Sequence, residues 1–226
     1  MQRNAPYIEL GIIPGRAVTN SDQISAIYTH VDRTIGRIHR AYDEYITDDL
    51  RIQILHVKSS LFRPYEVLVT AGMSALPMSV PAEATFPRFG EIVTLVPKKW
   101  PLTVEQLQED RNFWPIRMMK DIARYTIHNQ TWIGFGHTVA MASSEEDLTP
   151  LGPDVPFCAS LIVPPLSLGE KAFTMMKPQE TCFWAAVPLH KRELQFKIEN
   201  GVDALLDAFD RAKVTDLINP ARPCVV

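Results

Sequence analysis

Trp114-Pro115-Ile116-Arg117-Met118-Met119-Lys120-Asp121-Ile122-Ala123-Arg124-Tyr125, followed shortly by Thr131-Trp132-Ile133-Gly134-Phe135-Gly136-His137-Thr138, is the most legible stretch of this chain. The first part reads as an amphipathic helix. Asn112 is placed to cap it, Pro115 falls in the first turn where its missing N–H costs little, and Met118, Met119, Ile122 and Ala123 share one face. Arg117, Lys120, Asp121, Arg124 and His128 share the other, a mostly cationic stripe. The second part sets a large aromatic before a Gly-x-Gly turn and a histidine after it, which suits a change of backbone direction between elements. The order is helix, glycine turn, strand. A phosphate-cradling loop needs a strand before it, a helix after it, and a third glycine or a Lys-Ser/Thr nearby, so the turn is read as structural.

Working outward, Ile24, Ile27, Tyr28, Val31, Ile35 and Ile38 recur at helical spacing after Ser21, which predicts a helix over about 21–40. Apolar and β-branched runs at Leu50 to Val57, Tyr65 to Thr70, Glu91 to Val96, His137 to Ala142, Phe157 to Val163 and Thr181 to Val187 predict strands. Helical spacing returns at Thr103 to Asp110, Phe113 to His128, Leu189 to Glu199 and Val202 to Ala212, with Gly201 as a left-handed break between the last two. Regular β-α alternation is missing. The expected fold is therefore α+β, a mixed α/β sandwich with a mostly antiparallel or mixed central sheet of about six strands covered by helices.

A chain of 226 residues can bury enough surface for a proper core, and a single domain over 1–226 is expected. The formal charge of −3 and pI near 6.1 give no overall field for DNA or an anionic membrane, although they leave room for a local basic patch. Nucleic acid and membrane are not expected partners. Cys158, Cys182 and Cys224 are odd in number and lack Cys-x-x-Cys spacing, which fits a reducing compartment. With no signal-peptide pattern and no uninterrupted apolar run of about 18 residues, the expected location is cytoplasmic.

Further blocks then carry a resemblance. Val69-Thr70-Ala71-Gly72-Met73-Ser74, Phe89-Gly90-Glu91-Ile92-Val93-Thr94-Leu95-Val96-Pro97 with Lys98-Lys99-Trp100-Pro101-Leu102, Val187 to Leu194 and Glu199 to Leu206 stand with the opening stretch in an order and spacing that resemble the Suppressor of Fused family over about Ile54 to Asp210. The resemblance implies a protein-binding role. Eukaryotic members sequester Gli transcription factors in Hedgehog signalling, holding a peptide as an added strand between two lobes. Bacterial single-domain members are thought of as immunity proteins against polymorphic toxins. This chain has about the length of the first lobe, so the two-lobe clamp does not transfer and the bacterial-type reading fits better.

The residues themselves offer candidates for such a role. Trp132 on the glycine turn, with Phe135 and His137, is a candidate anchor for a protein partner, and Arg117, Lys120 and Arg124 could meet an acidic one. Trp114 and Trp184 read as core. Ser144 to Asp147 with Asp154 read as an acidic surface loop. The histidines show no metal-ligand spacing, and no cofactor motif or nucleophile elbow is present. The expectation is a non-catalytic protein-binding domain, an immunity protein neutralising a toxin. The alternatives are a small-molecule enzyme using His137 as acid or base with a cysteine, Cys158 or Cys182, or a carboxylate as its partner, and a regulatory binder unrelated to toxins.

Overall fold

Ile92, Thr94 and Val96 alternate with Val93 and Leu95 along one strand, and all five are buried. A strand buried on both sides needs a layer over each face. The computed structural model, which describes residues 7–12, 20–45, 50–142, 144 and 146–226, supplies both layers. This strand is β5 (Phe89–Pro97). Around it lie β1 (Tyr7–Ile12), β2 (Ile38–Tyr45), β3 (Gln53–Val57), β4 (Tyr65–Ala71), β6 (Thr138–Val139), β7 (Phe157–Val163), β8 (Thr174–Met175) and β9 (Thr181–His190).

The sheet runs β1-β2-β3-β4-β5-β9-β7-β6, with β8 also on β9. Pairings β1 with β2 and β5 with β9 are parallel, and the others are antiparallel. It is the mixed sheet of an α+β fold. Helix α2 (Asp110–His128) covers one face, where Trp114, Met118, Met119 and Ile122 pack with Ile54, Leu68, Ile92 and Trp184. The other face carries α1 (Ser21–Thr34) over β3 to β5, through Ile27 and Val31, and α4 (Lys191–Ala212) over β7 and β9, through Leu194, Leu205 and Phe209. The short α3 (Glu170–Phe173) precedes β8.

All six expected strands are present, and among the described residues the sheet has nine strands rather than about six. One addition, β2, begins inside the stretch assigned to the first helix, at Ile38. Gly36, at φ +142°, ends α1 at Thr34, and Ile38 then pairs with Val57 instead of continuing the helical face. The expected helix over Thr103 to Asp110 is only a short 3-10 turn at Gln106–Gln108, and α2 begins at Asp110. Asn112 is thus inside the helix, not its cap, and Pro115 lies past the first turn. Gly201 does break α4, with φ 85° and ψ 169°, an extended positive-φ conformation rather than the left-handed helical one.

Candidate functional site

The glycine turn after α2 delivers what its composition promised. Gly136 takes φ +79°, a β-carbon there would meet the Val202 side chain of α4 at 3.2 Å, and its N–H donates to the Ile162 carbonyl at 2.9 Å. The Ile162 N–H donates in turn to the His137 carbonyl at 2.8 Å, which leads the chain into β6 at the end of the sheet. On this anchored turn the Trp132 ring meets His137 edge to face with centroids 4.3 Å apart, and Phe86 at 4.8 Å on another side. A β-carbon on Gly134 would press on both the Phe86 and Trp132 rings at 3.0 Å, so glycine lets the aromatics close over the backbone. Phe135 points outward, 43% exposed.

Three of the sequence candidates, Trp132, Phe135 and His137, are therefore brought together. Phe86 was missed: its only local signal is an aromatic beside Pro87 in a loop with no regular pattern. Next to it, Thr85, Phe86, Pro87, Arg88, Phe89 and Glu180 line a hollow of about 350 Å³. His137 has its pKa lowered, chiefly by burial. A hydrogen bond to the Trp132 backbone opposes this, and the charge of Lys197 adds to it.

The cationic candidates are placed differently. Arg117 is half-buried and donates to Asp110 at 3.2 Å and to the Leu151 carbonyl at 3.3 Å. Lys120 is 4% exposed, with its ammonium 5.8 Å from the centre of the Phe113 ring, so the solvent-facing position expected for it is corrected. Arg124 is partly exposed. The spacing did place the three on one stripe, but the fold covers its middle. The acidic segment is at the surface where described, with Ser144 donating to Asp147 at 2.8 Å; residues 143 and 145 lie outside the described set.

Trp114 and Trp184 are in the core, as read. Cys158 and Cys182 are buried too, and burial pushes both thiols up, away from the thiolate a nucleophile needs.

Two of the family-like blocks meet in a way the sequence did not reveal. Glu91 of β5 is fully buried and accepts from the Gly72 N–H at 3.1 Å, the Ser74 N–H at 3.0 Å, the Ser74 hydroxyl at 2.7 Å and the Thr70 hydroxyl at 2.5 Å. Gln23 of α1 extends the knot by donating to Ser74 and Thr181. Gly72 has φ +137°, and a β-carbon there would collide with the Arg51 carbonyl oxygen, so the turn that offers its N–H groups to Glu91 requires glycine. Burial raises the Glu91 pKa, and these hydrogen bonds counter that rise. At the far end of the chain Glu193, also fully buried, accepts from both Arg222 nitrogens at 2.5 and 2.6 Å and clamps the C-terminal segment.

The chain is similar over 92% of its length, and 98% of the other, to a Suppressor of fused homolog from Neisseria gonorrhoeae, at 16% identity and TM-score 0.67. A chain in the crystal structure of the Sufu–Fu complex is similar at 14% identity and TM-score 0.58, covering 90% of this chain and 92% of that one. Drosophila Suppressor of Fused is similar at 14% identity and TM-score 0.50 over 77% of this chain, which spans 42% of the fly protein. At these identities the likeness is one of fold. No curated protein sequence matches. No helix among the described residues is long and apolar enough to cross a membrane. The pattern of the Suppressor of fused protein (SUFU) family matches residues 48–223, so the chain belongs to the Suppressor of fused family.

Proposed function

We propose that this chain is a non-catalytic, cytoplasmic protein-binding domain, one unit over its 226 residues, that docks its partner on the face formed by Phe86, Trp132, Phe135 and His137. The observation that carries this is the exposed Phe135 ring on a glycine turn pinned to β7 and α4, beside an aromatic stack and an open hollow. Rigid, amphipathic aromatics next to a recess are what protein interfaces use as anchors, because little side-chain entropy is lost when they dock. The presence of a similar chain in the Sufu–Fu complex supports a protein as the ligand. The family's bacterial-type members suggest the finer reading, an immunity protein that occludes the surface of a toxin. Arg124, at the edge of its stripe, is a further contact in this proposal. The aromatic surroundings of His137 and the protonated state favoured for Cys158 and Cys182 support binding over catalysis.

The test is affinity capture from native lysate of the source organism with the wild-type chain and with a Trp132→Ala/Phe135→Ala variant of unchanged secondary structure. One near-stoichiometric protein held by the first and lost by the second is the expected result, and inhibition of that protein's toxic activity would establish immunity. A well-folded wild-type sample that retains nothing, or a variant that retains the same partner equally, overturns the reading.

A further inference from the structure

The largest exposure of apolar side chains in the described residues lies far from that face. Leu61 and Phe62, at the tip of the β3–β4 hairpin, are 90% and 95% exposed, against 37% for Phe86 and 43% for Phe135. The tip is held firmly. Ser60 donates its N–H to the Arg63 carbonyl at 2.8 Å, closing the turn. The Arg63 guanidinium donates to the Lys58 carbonyl at 2.7 Å and also to the carbonyl of Ile35, at the C-terminal end of α1. Glu66 accepts from the Ser59 N–H at 3.2 Å and from His56 at 2.7 Å.

Strand register gathers cations around this tip. Ile38 pairs with Val57 and Tyr65 pairs with Pro97, so Arg37, Lys58, Arg63, Lys98 and Lys99 emerge at the same end of the sheet as Leu61 and Phe62. Arg37, Lys58, Lys98 and Lys99 are exposed. Of the nearby carboxylates, Asp32 accepts the Ile38 N–H at 2.8 Å and remains exposed, one acid among four exposed cations, while Glu66 is buried on His56. A chain of net charge −3 thus carries a locally basic end with an apolar point at its centre.

We infer that the Leu61-Phe62 tip and its basic collar form a shallow insertion point for an anionic membrane surface. The tip is convex, so a protein ligand would need a preformed pocket of matching shape, whereas the headgroup region of a bilayer yields to a protruding pair of apolar side chains while lysines and arginines remain at the level of the phosphates. Charge complementarity selects an anionic leaflet, and the fixed turn presents both side chains with little backbone left to order. The site goes beyond the docking reading above: Phe86 precedes the first residue of β5 and Lys98 follows its last, which places the two surfaces about 25 Å apart along the strand.

Sedimentation of the full chain with vesicles of phosphatidylcholine, alone or mixed with phosphatidylserine, tests this. Expected is partitioning onto the mixed vesicles only, falling about tenfold or more at high salt, with Leu61→Ser/Phe62→Ser, and with Lys98→Glu/Lys99→Glu, while Tm is unchanged in both variants. Equal partitioning onto both vesicle types, none onto the anionic ones, or partitioning that survives the tip variant overturns the inference. So does loss of a captured protein, rather than of vesicles, in the tip variant, which would make the tip a protein anchor. Trp132→Ala/Phe135→Ala leaves vesicle binding intact, so failure of one reading is seen separately from failure of the other.

Discussion

At one end of β5, Glu91 sits fully buried among two backbone N–H groups and two hydroxyls. Toward the other end, Glu66 of β4 is 7% exposed and shares its carboxylate between His56 and the Ser59 N–H. Both glutamates hold a loop in place, the first the Gly72–Ser74 turn and the second the base of the basic hairpin. Their donors differ in kind. Those of Glu91 are neutral and do not titrate near neutral pH, whereas Glu66 leans on an imidazole. The comparison shows how one fold ties one loop to donors that keep their protons and the other to a donor that titrates.

Removing each carboxylate tests the difference most severely. Glu91→Ala leaves several buried donors without an acceptor, at about 1–3 kcal/mol each, so a loss on the order of 3–5 kcal/mol is expected. Glu66→Ala orphans groups nearer to water and should cost about 1–3 kcal/mol. Denaturant unfolding of the two variants measures both, and equal losses would remove the distinction. Glu91→Gln keeps an acceptor for Gly72 and Ser74 and should retain most of the stability. It also isolates a sign. The folded-state pKa of Glu91 is raised above 4.5, so its protonation favours the fold at low pH and that contribution is lost as pH rises through the raised value. Stability of wild type relative to Glu91→Gln should therefore fall with rising pH.

Trp132→Ala is next in size. The ring is partly buried and supports both Phe86 and His137, so its removal should cost about 1–3 kcal/mol as well as loosening the proposed docking face. Full stability with Phe86 still held in place, judged by its ring resonances, would show that the stack is not built on Trp132.

A smaller effect separates the two ends by pH. The His56 pKa is lowered from 6.5, first by burial and against the pull of Glu66, so the stability tied to its neutral form is complete above 6.5 and is lost as pH falls below that value. His30, His39 and His137 shift in the same direction, chiefly through burial. Subtracting the pH profile of His56→Gln from that of wild type extracts the His56 share. A flat difference below pH 6.5 would mean that the imidazole gains as much from Glu66 as it loses to burial.

Much of this architecture was legible in the sequence because it rests on local periodicity. The six strand runs alternate or stay apolar throughout, and the α2 stripe of Met118, Met119 and Ile122 lies on the sheet as its spacing required. The errors arise where periodicity is shared between states. Ile38 continues the helical spacing of Ile35, yet the positive φ of Gly36 ends the helix between them and turns the chain into β2. Lys120 sits with Arg117 and Arg124 on one helical stripe, and nothing local says that tertiary packing covers it. Within the candidate site, Trp132, Phe135 and His137 were readable from one glycine turn. Phe86, about 45 residues earlier, joins them only through the sheet, as Glu91 joins Gly72 and Ser74.

The least costly substitution for the fold should be the most costly for the proposed interface. Phe135 is 43% exposed and supports no other ring in the stack, so Phe135→Ala should change unfolding free energy by no more than about 0.5 kcal/mol. As a central aromatic anchor its truncation should weaken partner binding by about 2 kcal/mol, roughly thirtyfold. Leu61→Ser/Phe62→Ser should be equally silent in unfolding and, if the two ends of the sheet serve different surfaces, silent in partner binding too. Parallel titrations of one captured partner with the two variants measure this directly. Loss of affinity only with Phe135→Ala keeps the surfaces separate, and equal loss with both would join them into one interface running the length of β5.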